Sequence, residues 1–223
     1  MIQIKICGIT NENEIEYINA LKPEYIGFVF TKSKRQVTGL KAKELCSKLN
    51  KEIKTVGVFK DNSMEEILDV LKVISLDAVQ LHGKEDETFI IELKKKMKSS
   101  IKVWKALSIS SIENIKKYIP NKDNSLIDNL LIDGDNPGSG ETFSLEDISE
   151  LFKENSKLDV CVSKQYNFFL AGGITPENVI ERVKKANPIG VDVSSGVEVV
   201  DESGNRTKSF DKMKDFIENV RKI

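Results

Sequence analysis

Residues able to move protons or bind anions occur in this sequence at the points where short apolar runs end. Cys7, His82 and Asp133 provide a thiol, an imidazole and a carboxylate. Two loops of small residues follow later apolar runs, at 172–173 and 194–196. In parallel α/β barrels, active sites are built at the carboxyl ends of the strands. The pattern therefore predicts one site in which an acid, a base and an anion cradle meet.

Cys7 is the candidate general base. Side chains alternate along a strand, so Gln3, Lys5 and Cys7 share one face of the first apolar run, opposite Ile4 and Ile6. We expect the polar face to point into a barrel and the apolar pair to meet surrounding helices. A cationic Lys5 near the thiol favours the thiolate, which is the form that removes protons. A buried thiol with only a packing role is the alternative.

Asp133 is the candidate general acid, because it ends a fully apolar run at 130–132. We expect it to face a partly desolvated cavity, which favours the protonated carboxyl group that donates a proton. A turn role before Gly134 is the alternative. His82, the only histidine, is either a polar group of the cavity or a structural residue. A single histidine excludes a metal site that needs two.

Two loops have the composition of a phosphate cradle. Gly172 and Gly173 allow the backbone to approach a ligand, and Thr175-Pro176 is expected to open a helix whose N–H groups attract an anion. The loop Ser194, Ser195 and Gly196 adds hydroxyl and backbone donors. In barrels the phosphate site commonly lies between the last two loops, which is the predicted position of this pair.

Arg35 is the candidate for binding a carboxylate. It ends a basic stretch, 32–35, that follows the second predicted strand. A guanidinium group binds a carboxylate through two parallel hydrogen bonds. A solvated basic loop is the alternative.

A scaffold of alternating strands and helices is predicted to position these residues. Strands are predicted at 3–7, 25–30, 53–59, 78–81, 101–106, 129–133, 168–171 and 189–193. Helices are predicted at 13–21, 41–49, 64–74, 87–98, 112–118, 145–154, 177–185 and 210–221. Eight pairs favour a closed (β/α)8 TIM barrel that forms one domain over residues 1–223, with 155–167 as a surface insertion. An open doubly wound sheet normally carries a glycine-rich dinucleotide turn, and 7–10 is not one.

Composition excludes several classes of function. The 34 basic and 35 acidic residues nearly cancel, so no basic excess predicts nucleic-acid binding. Cys7, Cys46 and Cys161 are too widely spaced for a disulfide framework or metal cluster, which indicates a reducing cytoplasm. The first seven residues are too polar for a signal peptide, and no apolar run approaches the roughly 20 residues of a membrane span. We expect a cytoplasmic protein with a small-molecule ligand and no membrane partner.

Taken together, the motifs resemble those of the N-(5′-phosphoribosyl)anthranilate isomerase family of tryptophan biosynthesis. The resemblance covers almost the whole chain and rests on segments 5–10, 27–30, 33–35, 56–59, 79–83, 131–133, 138–143, 171–178 and 191–197. It implies a (β/α)8 barrel that catalyses an Amadori rearrangement of a phosphoribosyl substrate without cofactor or metal. It also implies a monomer or a homodimer.

The resemblance also implies roles for individual residues. Cys7 would be the general base and Asp133 the general acid. Arg35 would hold the anthranilate carboxylate, while His82 and Asp192 would line the cavity as substrate-binding groups. The phosphate would be bound by Gly172, Gly173, Ser194, Ser195 and Gly196.

Some positions depart from the family pattern. Thr31 stands where proline is common, 155–167 is extended, and 201–209 lacks the usual compact ending. These departures lie in predicted loops and leave Cys7 and Asp133 in place.

Other functions remain compatible with a phosphate-binding barrel. One alternative is an isomerase of another phosphosugar, including a second ribonucleotide substrate from the histidine pathway. Metal-dependent epimerases use paired histidines, which this chain lacks. A second alternative is a phosphosugar-binding barrel without activity, but the presence of both Cys7 and Asp133 favours an enzyme.

Overall fold

The computed structural model describes residues 1–118, 126–134, 166–200, 204 and 206–223. Within them, eight parallel strands form a closed barrel in chain order, and β8 pairs with β1 to close it. The strands are β1 Gln3–Cys7, β2 Tyr25–Val29, β3 Lys54–Phe59, β4 Ala78–Leu81, β5 Lys102–Ser108, β6 Asn129–Asp133, β7 Tyr166–Leu170 and β8 Pro188–Val193. The predicted (β/α)8 barrel is confirmed, and closure excludes the open sheet.

The helices of the described ranges lie between successive strands or follow the last one. They are α1 Glu12–Leu21, α2 Gly39–Ser47, α3 Met64–Val73, α4 Glu87–Lys96, α5 Ile112–Tyr118, α6 Val179–Ala186 and α7 Phe210–Arg221. The helix predicted at 145–154 and the Cys161 region fall outside the described residues. None of the described helices is long and apolar enough to cross a membrane.

Side-chain caps fix where several helices begin. A side-chain oxygen of the residue before the helix accepts a backbone N–H from the first turn, which satisfies one of the donors that a helix start leaves open. The capping residues are Asn11 for α1, Thr38 for α2, Ser63 for α3, Asp86 for α4 and Ser209 for α7. Ser63 and Glu66 complete a reciprocal capping box.

Apolar side chains form two layers on the two sides of the barrel wall. One buried cluster consists of Tyr25, Val56, Ala78, Trp104, Ala106, Leu131, Phe169 and Ala171. The larger cluster packs the barrel against the helices and includes Ile4 and Ile6. Lys5, which lies between Ile4 and Ile6 in the sequence of β1, belongs to neither cluster and is fully buried, paired with the cavity residue Asp192 of β8. The predicted alternation of faces along β1 is therefore correct.

A two-stranded antiparallel hairpin, β9 Glu198–Val200 and β10 Arg206–Lys208, lies between β8 and α7. It was not predicted, because strands of three residues are too short to show a clear alternation of polar and apolar side chains. The hairpin brings Glu198 and Lys208 into register with each other. Both side chains are buried, which places an ion pair beside the last barrel loop.

Candidate active site

A cavity of about 440 Å³ opens among the residues that follow the carboxyl ends of the strands. Nine of the predicted site residues line it: Cys7, Arg35, His82, Asp133, Gly172, Gly173, Asp192, Ser194 and Ser195. Gly196 lies behind the wall, where a Cβ added to it would come within 1.9 Å of the carbonyl oxygen of Ile174. Gly196 thus permits the loops after β7 and β8 to touch.

Cys7 ends β1 and is 9% exposed. Lys5, which shares the same strand face as predicted, lowers the pKa of this thiol through its charge. Burial nevertheless raises the pKa of the Cys7 thiol above its ordinary value, because desolvation outweighs the lowering by Lys5 and by Lys208, and Asp192 adds to the rise. Lys5 thus favours the thiolate, as expected, but its effect is smaller than the cost of burial. The sequence shows the charge of Lys5 but not the degree of burial.

Lys5 and Asp192 form a buried ion pair beneath the cavity. The Lys5 Nζ lies 2.9 Å from Oδ2 of Asp192, with side chains 0% and 9% exposed. Burial by itself lowers the pKa of Lys5. Asp192 and Cys7 together raise it by more than burial lowers it, so the pKa lies above the ordinary lysine value. Oδ1 of Asp192 is buried without a hydrogen-bond partner in the described part of the chain. That oxygen is available to accept a hydrogen bond from a ligand in the cavity.

Asp133 and His82 come from β6 and from the end of β4 and face each other in the cavity. Oδ2 of Asp133 lies 3.5 Å from Nε2 of His82. Oδ1 of Asp133 accepts the N–H of Gly134 at 2.7 Å, so this carboxylate has both the predicted cavity position and the alternative turn role. Nδ1 of His82 lies 3.2 Å from Nε2 of Gln80, which orients the ring.

The loop after β7 has a backbone conformation that lets a ligand come close to the main chain. Gly172 and Gly173 have φ values of 79° and 59°, a left-handed conformation that glycine adopts without steric cost. Asn178 closes the loop by donating to the carbonyl of Gly173 at 2.8 Å and accepting the N–H of Thr175 at 2.9 Å. The predicted helix start at Thr175-Pro176 is corrected, because α6 begins only at Val179 after a turn.

Arg35 is 9% exposed and is held by two acidic side chains. Its NH1 donates to Oε1 of Glu14 at 2.8 Å, and its Nε donates to Oε1 of Glu198 at 3.1 Å. The alternative of a solvated basic loop holds for Lys32 and Lys34, which are exposed, but not for the buried Arg35. The NH2 nitrogen, although 3.1 Å from Glu198, makes no well-aligned hydrogen bond to described residues. One edge of the guanidinium group therefore retains donors for a ligand.

The sequence reasoning missed three residues of this site: Glu14, Glu198 and Lys208. Glu14 is 1% exposed and Lys208 is 2% exposed, so neither belongs to the solvated surface. The signal that could have found Glu198 is its position two residues after the loop 194–196. Nothing comparable in the sequence marks Glu14, which lies on a helix among other acidic residues.

The fold and the cavity define a class of protein: a (β/α)8 barrel in which a thiol and a carboxyl group line one cavity at the carboxyl ends of the strands, together with two glycine- and serine-containing loops. The sequence pattern described as N-(5′phosphoribosyl)anthranilate (PRA) isomerase matches residues 4–219. The chain therefore belongs to the N-(5′-phosphoribosyl)anthranilate isomerase family, which confirms the predicted family and isomerase class.

Individual relatives agree with this assignment. The chain is 62% identical to N-(5′-phosphoribosyl)anthranilate isomerase of Clostridium beijerinckii, covering 100% of this chain and 99% of the relative. It is 41% identical to the Thermoanaerobacter sp. isomerase, with 100% of both chains covered. Among solved structures, the phosphoribosylanthranilate isomerase of Thermotoga maritima is 32% identical with a TM-score of 0.78, and 100% of each chain is covered. A family structure in complex with reduced 1-(o-carboxyphenylamino)-1-deoxyribulose 5-phosphate has a TM-score of 0.75 at 31% identity, again with 100% of each chain covered.

Proposed function

We propose that this chain converts N-(5′-phosphoribosyl)anthranilate into 1-(2-carboxyphenylamino)-1-deoxyribulose 5-phosphate, with Asp133 as general acid and Cys7 as general base. The observation that carries the proposal is the convergence of these two residues, from β6 and β1, on one cavity beside the two loops suited to phosphate. Family membership supports the reaction.

Ring opening is the first step. The carboxyl group of Asp133 donates its proton to the furanose ring oxygen through Oδ2, the oxygen that faces His82 and the cavity. The bond between that oxygen and C1′ breaks, and C1′ becomes a Schiff base with the anthranilate nitrogen. A positioned acid of this kind typically contributes ~10²–10⁴-fold in rate.

Proton removal from C2′ is the second step. The Cys7 thiolate takes this proton from the protonated Schiff base. The electron pair of the C2′–H bond forms the C1′–C2′ double bond of an enolamine, and the C1′=N electron pair returns to the anthranilate nitrogen. Burial raises the pKa of the thiol, so the thiolate is scarcer but a stronger base, and the Lys5 ammonium beside it stabilises its charge. Tautomerisation then moves the enol proton to C1′ and leaves a ketone at C2′.

Ligand positioning comes from the remaining wall of the cavity. The phosphate binds the loops that contain Gly172, Gly173, Ser194, Ser195 and, supporting them, Gly196. Arg35 presents its NH2 edge to the anthranilate carboxylate. Oδ1 of Asp192 and Nε2 of His82, both buried without a hydrogen bond to described residues, bind the ribose hydroxyls. The reaction moves only protons, so the proposal includes neither cofactor nor metal.

Three broader features belong to the same proposal. Residues 1–223 act as one barrel domain, and the protein works in the cytoplasm, in line with the free thiols of Cys7 and Cys46. The protein assembles into nothing larger than a homodimer. A related isomerase from Thermotoga maritima is described as dimeric. Sedimentation velocity measures this last point directly.

Turnover of freshly generated phosphoribosylanthranilate, followed through loss of its fluorescence, tests the function. We expect rapid turnover by the wild type and by Cys46→Ala, whose thiol lies on α2 and does not line the cavity. Cys7→Ala and Asp133→Asn should each lose at least ~10²-fold in kcat. If both folded variants turned over substrate at the wild-type rate, the assignment of Asp133 as acid and Cys7 as base would be refuted. If the folded wild type were inactive, the proposed reaction would be refuted.

A further inference from the structure

Lys208 is a buried cation that has no part in the function proposed above. It lies on β10, and its side chain is 0% exposed. Its Nζ donates to the backbone oxygen of Ser194 at 2.9 Å, to Oγ of Ser194 at 3.2 Å and to Oε1 of Glu198 at 2.9 Å. An ammonium group has three protons, so each has an acceptor on the loop after β8 or on β9.

The contact at Ser194 extends to the candidate base. Oγ of Ser194 accepts from Lys208 and donates to the backbone oxygen of Cys7 at 3.1 Å. A hydroxyl group performs both roles at once. Lys208, Ser194 and Cys7 therefore form a continuous hydrogen-bonded chain from the hairpin, through the candidate phosphate loop, to the end of β1.

Among the residues that the structure describes, three charged groups act directly on the Cys7 thiol: Lys5 of β1, Asp192 of β8 and Lys208 of β10. Around Lys208, Glu198 of β9 also pairs with Arg35 and Arg206, and Arg35 pairs with Glu14 of α1. Asp133 and His82 line the same cavity as Cys7. Lys208 is the cation after Lys5 whose charge lowers the pKa of Cys7. Burial lowers the pKa of Lys208 itself, and Glu198 and Cys7 oppose that change.

We propose that Lys208 is a positioning residue with two effects: it holds the phosphate loop at Ser194, and it stabilises the Cys7 thiolate through its charge. The proposal rests on the proposed function for the use of this site. Both effects are measurable without substrate, so they are tested independently of the reaction.

The experiment uses a background with Cys46→Ala and Cys161→Ala, in which Cys7 is the only remaining thiol. Three variants change Lys208: Lys208→Met removes charge and donors, Lys208→Gln removes charge and keeps a donor, and Lys208→Arg keeps charge. Lys212→Met is the matched control, because Lys212 is exposed and its Nζ donates to the backbone oxygen of Glu198 at 2.9 Å. The measurements are the pH profile of iodoacetamide alkylation and the Kd of inorganic phosphate, with circular dichroism to establish folding.

Lys208→Met and Lys208→Gln should move the alkylation profile to higher pH, since loss of the cation raises the pKa of the thiol. Lys208→Met should weaken phosphate binding about tenfold, the usual cost of one hydrogen bond to a charged group. Lys208→Arg should restore the alkylation profile, and Lys212→Met should change neither quantity.

An unchanged alkylation profile in folded Lys208→Gln would overturn the proposal, as would a shift of equal size in Lys212→Met. If Lys208→Met fails to fold, the comparison of Lys208→Gln with Lys208→Arg decides the outcome, because these differ in charge and both keep donors. A wild type that does not bind phosphate would refute the phosphate loops of the proposed function and, with them, the first effect of Lys208. A wild type that lacks isomerase activity would leave the alkylation comparison fully interpretable.

Discussion

Gly27 lies directly against the side chain of Cys7: a Cβ added at Gly27 would come within 2.7 Å of the Cys7 sulfur. The two residues are paired in register between β2 and β1. The carbonyl of Gly27 also accepts the N–H groups of Gly8 and Ile9, which fixes the backbone around the thiol. The absence of a side chain at Gly27 therefore creates the space that the sulfur occupies.

Gly27→Ala should reduce kcat by about 10²-fold, since a displacement near 1 Å is enough to misplace a catalytic group. The measurement is kcat for phosphoribosylanthranilate together with the rate of Cys7 alkylation. Gly39→Ala is the control, because its Cβ would meet Val73 at an ordinary 3.5 Å. Full activity of Gly27→Ala with a normal alkylation rate would show that the thiol position is not critical.

Gly196→Ala should weaken the binding of inorganic phosphate by about tenfold or more, because the new Cβ would force the loop after β8 away from Ile174. Isothermal calorimetry of the folded variant measures this effect. Gly39→Ala again provides the comparison. Unchanged phosphate affinity would mean that contact between the two loops is not needed for the anion site.

Because Cys7 must lose its proton to act as a base, kcat/KM should rise with pH. We expect the rise to continue to pH values above the pKa of an ordinary thiol. The reason is that burial raises the pKa of Cys7, so the reactive thiolate forms only at higher pH. A pH–rate profile of the wild type measures the rise. A plateau reached below the pKa of an ordinary thiol would contradict the predicted role of burial.

The same shift predicts how stability depends on pH. A thiol whose pKa is higher in the folded state binds more protons there than in the unfolded state. The contribution of this thiol to the stability of the fold is therefore fully present below its pKa in the unfolded state. It is lost as the pH rises toward its pKa in the folded state. Burial raises the pKa of Cys46 to about 12 and contributes in the same direction. Urea denaturation should compare the Cys46→Ala variant with the double variant Cys46→Ala, Cys7→Ala. We expect the double variant to lose less stability at alkaline pH.

Glu85→Gln should destabilise the fold by about 3 kcal/mol or more, because it leaves the Lys105 ammonium buried without its anion. Nζ of Lys105 lies 2.8 Å from Oε2 of Glu85, and the side chains are 2% and 3% exposed. Asp69→Asn is the matched control: Asp69 pairs with Lys72 at 2.7 Å, but these side chains are 59% and 74% exposed. The control should cost less than about 1 kcal/mol in urea denaturation. Equal costs would contradict the importance of burial.

Most of the barrel and much of the site follow from local patterns. Alternation along β1 places Lys5 and Cys7 on one face, and the apolar run of β6 places Asp133 at a strand end. These assignments depend on neighbouring residues, which a sequence displays directly. The start of α6 was misjudged because the proline signal at Pro176 competes with the side chain of Asn178, which closes a turn first.

The charge cluster could not be predicted in the same way. Glu14 and Glu198 meet at Arg35 only because barrel closure brings α1 and β9 to the loop after β2. The direction in which the pKa of Cys7 shifts could not be predicted either, because it depends on whether desolvation outweighs the opposing effect of Lys5. Both outcomes depend on tertiary distances and burial, for which local periodicity contains no signal.

Closure of the barrel by β1 and β8 also has a consequence for biosynthesis. Ser194 and Cys7, which share a hydrogen bond, are 187 residues apart in the chain. During translation the N-terminal strand is made first, and its partner β8 emerges only near the end. Cys7 therefore exists as an unenclosed thiol on the nascent chain for most of the time that the ribosome needs to make the protein. Its protection from oxidation over that interval depends on the cell and not on the fold.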